Sequence, residues 1–176
     1  MAPVIWISGT SASGKTTMGL MLKNSLCKLK YDTTFLDGDL LRKQLPKKYG
    51  HSIKDRYEIL NEYIKIIKKE ASIRTVVIVA TISHKKDMRL KARKLLDNIF
   101  EINLRCSTSE CAKRDYKKQY VRAISGDFAC FPGITEEYEF SDSAELILDT
   151  EKNNISQSFD ILYENIKKYL KTFNNN

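Results

Sequence analysis

Five short apolar runs punctuate an otherwise polar chain: VIWIS at 4–8, TTFLD at 33–37, TVVIVAT at 75–81, NIFEINL at 98–104 and ELILD at 145–149. Their β-branched content and polar borders predict buried strands rather than helices. Between them the period changes. Met18, Met21, Leu22 and Leu26, and again Ile59, Tyr63, Ile66 and Ile67, recur at the spacing that lines up side chains on one helix face. Strand-helix alternation of this kind predicts an α/β fold, a parallel sheet with helices on both faces. Ser125 to Ser143, rich in Gly, Asp, Pro and Ser, keeps neither period and reads as a long functional loop, and residues 172–176 read as a frayed tail. No internal repeat or linker divides the chain, so residues 1–176 are expected to form one domain.

Composition narrows the class. Hydrophobic content of 42% argues against disorder, and no apolar run approaches the ~20 residues of a membrane span. VIWIS is short and gives way at once to a polar glycine loop, unlike a signal peptide, so the expected compartment is the cytoplasm, with no membrane partner. Cys27, Cys106, Cys111 and Cys130 form no Cys-x-x-Cys pair, and His51 and His84 lack metal-ligand spacing, which predicts free, mostly buried thiols. The net charge of +8 includes two basic clusters, HKKDMRLKARK at 84–94 and AKRDYKKQYVR at 112–122. The first reads as a solvated helix face. It holds no aromatic residue, whereas a stacking nucleic-acid binder interleaves rings with cations, so no nucleic-acid partner is expected.

The chemistry begins where the first strand feeds the first helix. Gly9, Thr10, Ser11, Ala12, Ser13, Gly14, Lys15 and Thr16 fit GxxxxGK(S/T), with Thr17 following. Glycines there let successive backbone N–H groups turn toward phosphate oxygens, helped by the positive end of the helix. Lys15 is placed to reach the β and γ phosphates of ATP, and the Thr16 hydroxyl to bind Mg²⁺. A phosphate cradle alone does not name a reaction. The chain lacks the Asn-Lys-x-Asp guanine signature, and TVVIVAT does not end in the Asp that holds Mg²⁺ in many ATPases, which leaves a small-molecule kinase. Intact Lys15, Thr16 and Asp39 argue against a degenerate regulatory domain.

LDGDLLR at 36–42 closes the second strand. C-terminal strand ends line the crevice of a parallel sheet, so Asp37, Asp39 and Arg42 are expected to face the bound phosphates. One Asp can take the proton of an attacking hydroxyl while Arg42 grips an anionic acceptor. Asp37 is equally a candidate helix cap, and a further candidate for the metal; which carboxylate is the base and which lies nearer the metal stays open at this point.

With VIWISGTSASGKTT, LDGDLLRKQL, Asp55-Arg56, ATIS at 80–83, CAKRD at 111–115, YVRAISGDFACFPGI and LILDT, in that order, the chain resembles the adenylylsulfate kinase family. The resemblance implies a P-loop kinase with a five-stranded parallel sheet, flanking helices and a mobile lid, usually dimeric, with Mg-ATP as donor. It implies Asp39 as the base, Arg42 and Arg56 as acceptor-binding arginines, and Phe131 as the ring that stacks on the acceptor base. The resemblance further implies Ser83 beside the acceptor, Gly133 and Ile134, with the residues at His51 and Ile59, among the acceptor-binding positions, and Arg114 near the ATP base. The lid and acceptor loop span about 112–143.

Four departures fall on the acceptor side. His51 stands where the family usually has Phe, Ile59 where it has Asn, His84 where it has Pro, and Ala129 where it has Lys. With Phe131 the one stacking ring left on this reading, the expected acceptor is cytidine diphosphoramidate, used in bacterial capsule modification, with adenylylsulfate as the alternative.

Overall fold

The computed structural model describes residues 1–174, apart from the Asn174 side chain. In chain order the elements are β1 (Val4–Ser8), α1 (Lys15–Lys28), β2 (Thr33–Asp37), α2 (Gly38–Gln44), α3 (Ile53–Ala71), β3 (Val76–Thr81), α4 (Lys86–Leu95), β4 (Ile99–Arg105), α5 (Thr108–Arg114), α6 (Gln119–Ile124), β5 (Leu146–Asp149) and α7 (Ile155–Asn174). All five apolar runs are strands, and they pair in parallel in the order β2-β3-β1-β4-β5.

Alternation along the central strands builds two cores, one on each face. Val4 and Trp6 of β1, with Val77 and Val79 of β3, pack against Ile59, Leu60, Tyr63 and Ile67 of α3 and Met88 and Ala92 of α4. Ile5 and Ile7, with Val76 and Ile78, face Met18, Leu22 and Leu26 of α1 and Leu162, Ile166 and Leu170 of α7. Helix α7 continues to Asn174, with Phe173 tilted against Tyr169 at a centroid distance of 6.3 Å, so residues 172–174 of the expected frayed tail are helical. Residues 175 and 176 lie outside the described residues.

The basic 84–94 segment also departs from expectation. Its α4 face is not simply solvated, because Arg89 turns inward beside Glu101 of β4, Nε to Oε1 at 3.3 Å, with both side chains at most 3% exposed. The two atoms lack hydrogen-bond geometry; Arg89 instead donates through Nη1 to the Ser83 carbonyl at 2.6 Å and through Nη2 to that of Glu139. Arg93 bridges Glu101 and Glu145. These arginines tie α4 to β4 and to the 125–143 segment, which carries no helix or named strand but has Cys130, Phe131, Pro132 and Tyr138 buried.

Candidate functional site

The C-terminal ends of β1, β2 and β3 open on a cavity of about 1040 Å³. At its floor the β1–α1 turn is shaped by two glycines for different reasons. A Cβ on Gly9 would meet Ser13 Oγ at 2.6 Å and the Leu104 backbone oxygen at 3.2 Å, so the turn closes only without one. Gly14 has open space around it but sits at φ +98°, a left-handed conformation that disfavours any side chain. It is the N-cap of α1, and no side chain caps that helix. The first-turn N–H groups of α1 therefore remain available to an anion.

Lys15 donates from Nζ to the Thr10 carbonyl at 2.5 Å. Although its side chain keeps some exposure, desolvation pushes its pKa down to about 8, opposed chiefly by Asp39 and then by Cys111 and Asp37. Thr16 Oγ1 donates to Asp37 Oδ2 at 2.6 Å. The other Asp37 oxygen caps α2, accepting from the backbone N–H groups of Asp39 at 2.9 Å and Leu40 at 3.4 Å. Asp37 thus caps α2, one of the two roles the sequence left open for it, while its other oxygen accepts from the Thr16 hydroxyl; the metal role remains a proposal. Asp39, one residue into α2, is exposed and accepts from Lys117 Nζ at 2.6 Å.

Arg42 and Arg56 line the same cavity. Arg42 Nη2 donates to the carbonyls of Tyr49 at 2.8 Å and Gly50 at 2.5 Å. Arg56, in the first turn of α3 behind a Ser52–Asp55 capping box, donates from Nη2 to the Cys130 carbonyl at 2.7 Å. Ser83, at φ +40°, pairs its hydroxyl with that of Thr81 at 2.7 Å. Ile59 is 6% exposed, part core and part cavity wall.

The cavity thus gathers Ser11 to Thr17, Asp37, Asp39, Arg42, Arg56, Ile59, Ser83 and Arg114. Four proposed acceptor residues are elsewhere. Gly133 and Ile134 line a separate cavity of about 430 Å³ that touches the far side of Thr10. Phe131 is 5% exposed, packed edge-on against Tyr120 with ring centroids 5.1 Å apart. His51 lies edge-on to Phe128 at 5.0 Å, and Phe128 in turn leans on Phe131 at 5.5 Å. Partial desolvation, then Arg42 and Arg56, hold the His51 pKa below its ordinary value. Phe128 is a ring that pattern reading missed, hidden in a segment without a period.

The 112–122 segment lies against the cradle. Ser11 Oγ donates to Gln119 Oε1 at 2.9 Å, and Tyr120 Oη donates to the Ser11 carbonyl at 2.9 Å. Asp115, Tyr116, Lys117 and Gln119 add to the cavity wall, as do Thr150 and Asn153 to Ser156 beyond β5. Sequence reading named none of these individually, because short helices and loop polar residues carry no periodic signal.

A magnesium ion fits the donor chemistry at Thr16 and Asp37, both hard oxygen ligands. Among the described residues no cluster of three His, Cys, Asp or Glu could hold a metal by itself. That suits Mg²⁺, which characteristically takes one or two protein oxygens and completes its shell from water and substrate phosphates.

A phosphate cradle sharing one cavity with a carboxylate and two arginines at the β2 side defines a P-loop small-molecule kinase, an ATP- and Mg²⁺-dependent phosphotransferase acting on a hydroxyl group. The family model described as Adenylylsulphate kinase matches residues 1–149, and the chain belongs to that family. It is 38% identical over 170 residues to an adenylyl-sulfate kinase of Staphylococcus epidermidis, covering 96% of this chain and 83% of that one. An adenylyl-sulfate kinase of Bacillus licheniformis is 34% identical, covering 96% of this chain and 86% of that one. The structure of the Mycobacterium tuberculosis APS kinase in complex with AMPPNP and APS superposes with TM-score 0.84 at 26% identity, covering 94% of this chain and 98% of that one. No helix among the described residues is long and apolar enough to cross a membrane.

Proposed function

We propose that this chain transfers the γ-phosphate of ATP to the 3′-hydroxyl of adenylylsulfate. The observation that carries the reading is the single cavity joining Lys15 and Thr16 to Asp39, Arg42 and Arg56. The substrate itself comes from the relatives, several of which are named adenylyl-sulfate kinases.

In this reading the N–H groups at the start of α1 and Lys15 hold the ATP phosphates. Mg²⁺, held from the protein side by Thr16 and Asp37, supplies neutralisation of phosphate charge. Arg42 and Arg56 fix the acceptor's anionic end. Asp39 takes the proton from the 3′-hydroxyl as its oxygen bonds to the γ-phosphorus and the bond to the β-phosphate oxygen breaks, releasing ADP. For that step Lys117 leaves Asp39, and its ammonium turns toward the charge spreading over the transferring group. We assign the lid role to the 112–143 segment, and a cytoplasmic, dimeric, single-domain enzyme to the whole chain. Light scattering on the purified protein reads the dimer.

The expectation of a cytidine diphosphoramidate acceptor and a capsule role finds no support among the relatives. Its physical premise was also incomplete. The count of one remaining ring omitted Phe128, which with His51 and Phe131 makes a run of three rings, two of them within the 112–143 segment. Incubation with Mg-ATP and adenylylsulfate, followed by phosphorus NMR, tests the proposal: a new 3′-phosphomonoester is expected, and its absence contradicts the assignment.

A further inference from the structure

His84 follows β3 and is completely buried, yet it belongs to the wall of the main cavity beside Ser83 and Arg56. Its ring has two nitrogens in different circumstances. Nε2 lies 3.9 Å from Cys130 Sγ, while Nδ1 has no hydrogen-bond partner among the described residues. Arg56 repeats the pattern: Nη2 is committed to the Cys130 carbonyl, and its buried Nε is unpartnered among the described residues. Two orphaned nitrogens on neighbouring side chains of one cavity are unusual, because buried polar groups ordinarily find partners.

The tautomer can be argued from the thiol. With the thiol taken as the donor in the Cys130 Sγ–His84 Nε2 contact, the ring proton is assigned to Nδ1. Burial, followed by the Arg56 and Lys85 cations, pushes the His84 pKa down to about 4, so the ring is neutral at working pH. Of the other charged groups near it, Lys85 is engaged with Glu136 and Glu139. Nδ1–H and the Arg56 Nε–H are thus two buried, unused donors on residues that line the main cavity.

We propose that His84 is a specificity-determining residue: its Nδ1–H and the Nε–H of Arg56 form a two-donor site for the anionic group at the acceptor's 5′ end. The inference rests on the kinase reading above but not on the acceptor's base. A sulfate or phosphate oxygen accepts from both donors, and an acceptor without that oxygen leaves both buried and unpaired.

The test compares wild type, His84→Leu and His84→Asn by calorimetry, each saturated with a nonhydrolysable ATP analogue and titrated with adenylylsulfate or cytidine 5′-diphosphate. Leucine removes the donor, whereas the asparagine amide nitrogen can stand near the Nδ1 position. His84→Leu should weaken nucleotide binding ~10-fold or more with ATP-analogue affinity within ~2-fold, and His84→Asn should restore most of the loss. If wild type binds only the cytidine nucleotide and leucine weakens it, the site stands and the adenylylsulfate assignment falls. Equal affinities in wild type and His84→Leu overturn the site. So do equal losses for the ATP analogue, failure of asparagine to rescue, or a wild type that binds neither nucleotide.

Discussion

Lys117 Nζ stands 2.6 Å from Asp39 Oδ2, an ion pair joining the α5–α6 connection to the first turn of α2. The contact raises the Lys117 pKa, first through the hydrogen bond and also through the carboxylate charge. Both side chains are well exposed, at 42% and 61%, so the pair contributes only about 0–1 kcal/mol to stability. Its importance lies in where it puts a cation.

Lys117→Met should therefore leave the melting temperature nearly unchanged while lowering kcat by on the order of 10- to 100-fold, because the lost charge acts on the transferring phosphoryl group. Steady-state kinetics beside thermal melts separate the two. A large loss of stability with unchanged kcat would assign Lys117 to structure instead.

The carboxylates should divide by role. Asp39→Asn should lower kcat by on the order of 10² to 10⁴ with little change in ATP affinity. Asp37→Asn should weaken Mg-ATP binding, since it disturbs the Thr16 contact, and also cost about 1 kcal/mol through the α2 cap. Titrations of Mg²⁺ and denaturant on both variants check the division, and a mild Asp39→Asn beside a crippling Asp37→Asn reverses it.

Lys15 carries a pH signature. Its native pKa of about 8 lies below the ordinary lysine value of 10.5, so between those values the unfolded chain binds more protons. This group's contribution to stability accordingly increases from pH about 8 to 10.5 and is at its least favourable below pH 8. Lys15→Met should raise the melting temperature at pH 7 by roughly 2–4 °C while abolishing most transfer, and the gain should shrink by pH 10. ATP affinity of the wild type should fall as pH rises above about 8, where the free lysine loses its charge.

The buried Arg89–Glu101 pair should behave oppositely to the exposed one. Arg89→Met leaves a carboxylate 2% exposed with Arg93 as its remaining ion-pair partner among the described residues, and should cost about 3–5 kcal/mol in urea unfolding. A loss under about 1 kcal/mol would mean that Arg93 alone neutralises Glu101.

The parts legible in the sequence were those with a strong local cause. All five strands appeared as apolar runs because both sheet faces are covered, and the cradle appeared because its glycines and Lys15 stand at fixed spacing. Arg89 looked like surface because its partner Glu101 lies on another element, and no local pattern reports a partner that distant in the chain. The same holds for Phe128 against His51 and for Lys117 against Asp39, both formed by segments that meet only after folding. Helix α7 extends into the tail expected to fray, to Asn174, where Phe173 meets Tyr169 one turn earlier; a lone ring in a polar tail gives no period to read.

The most direct test of the central claim is a competition in one tube. Equal concentrations of adenylylsulfate and cytidine diphosphoramidate, with Mg-ATP and catalytic enzyme, are followed by phosphorus NMR. The account predicts early 3′-phosphorylation of adenylylsulfate in clear excess; preferential phosphorylation of the cytidine compound would contradict it.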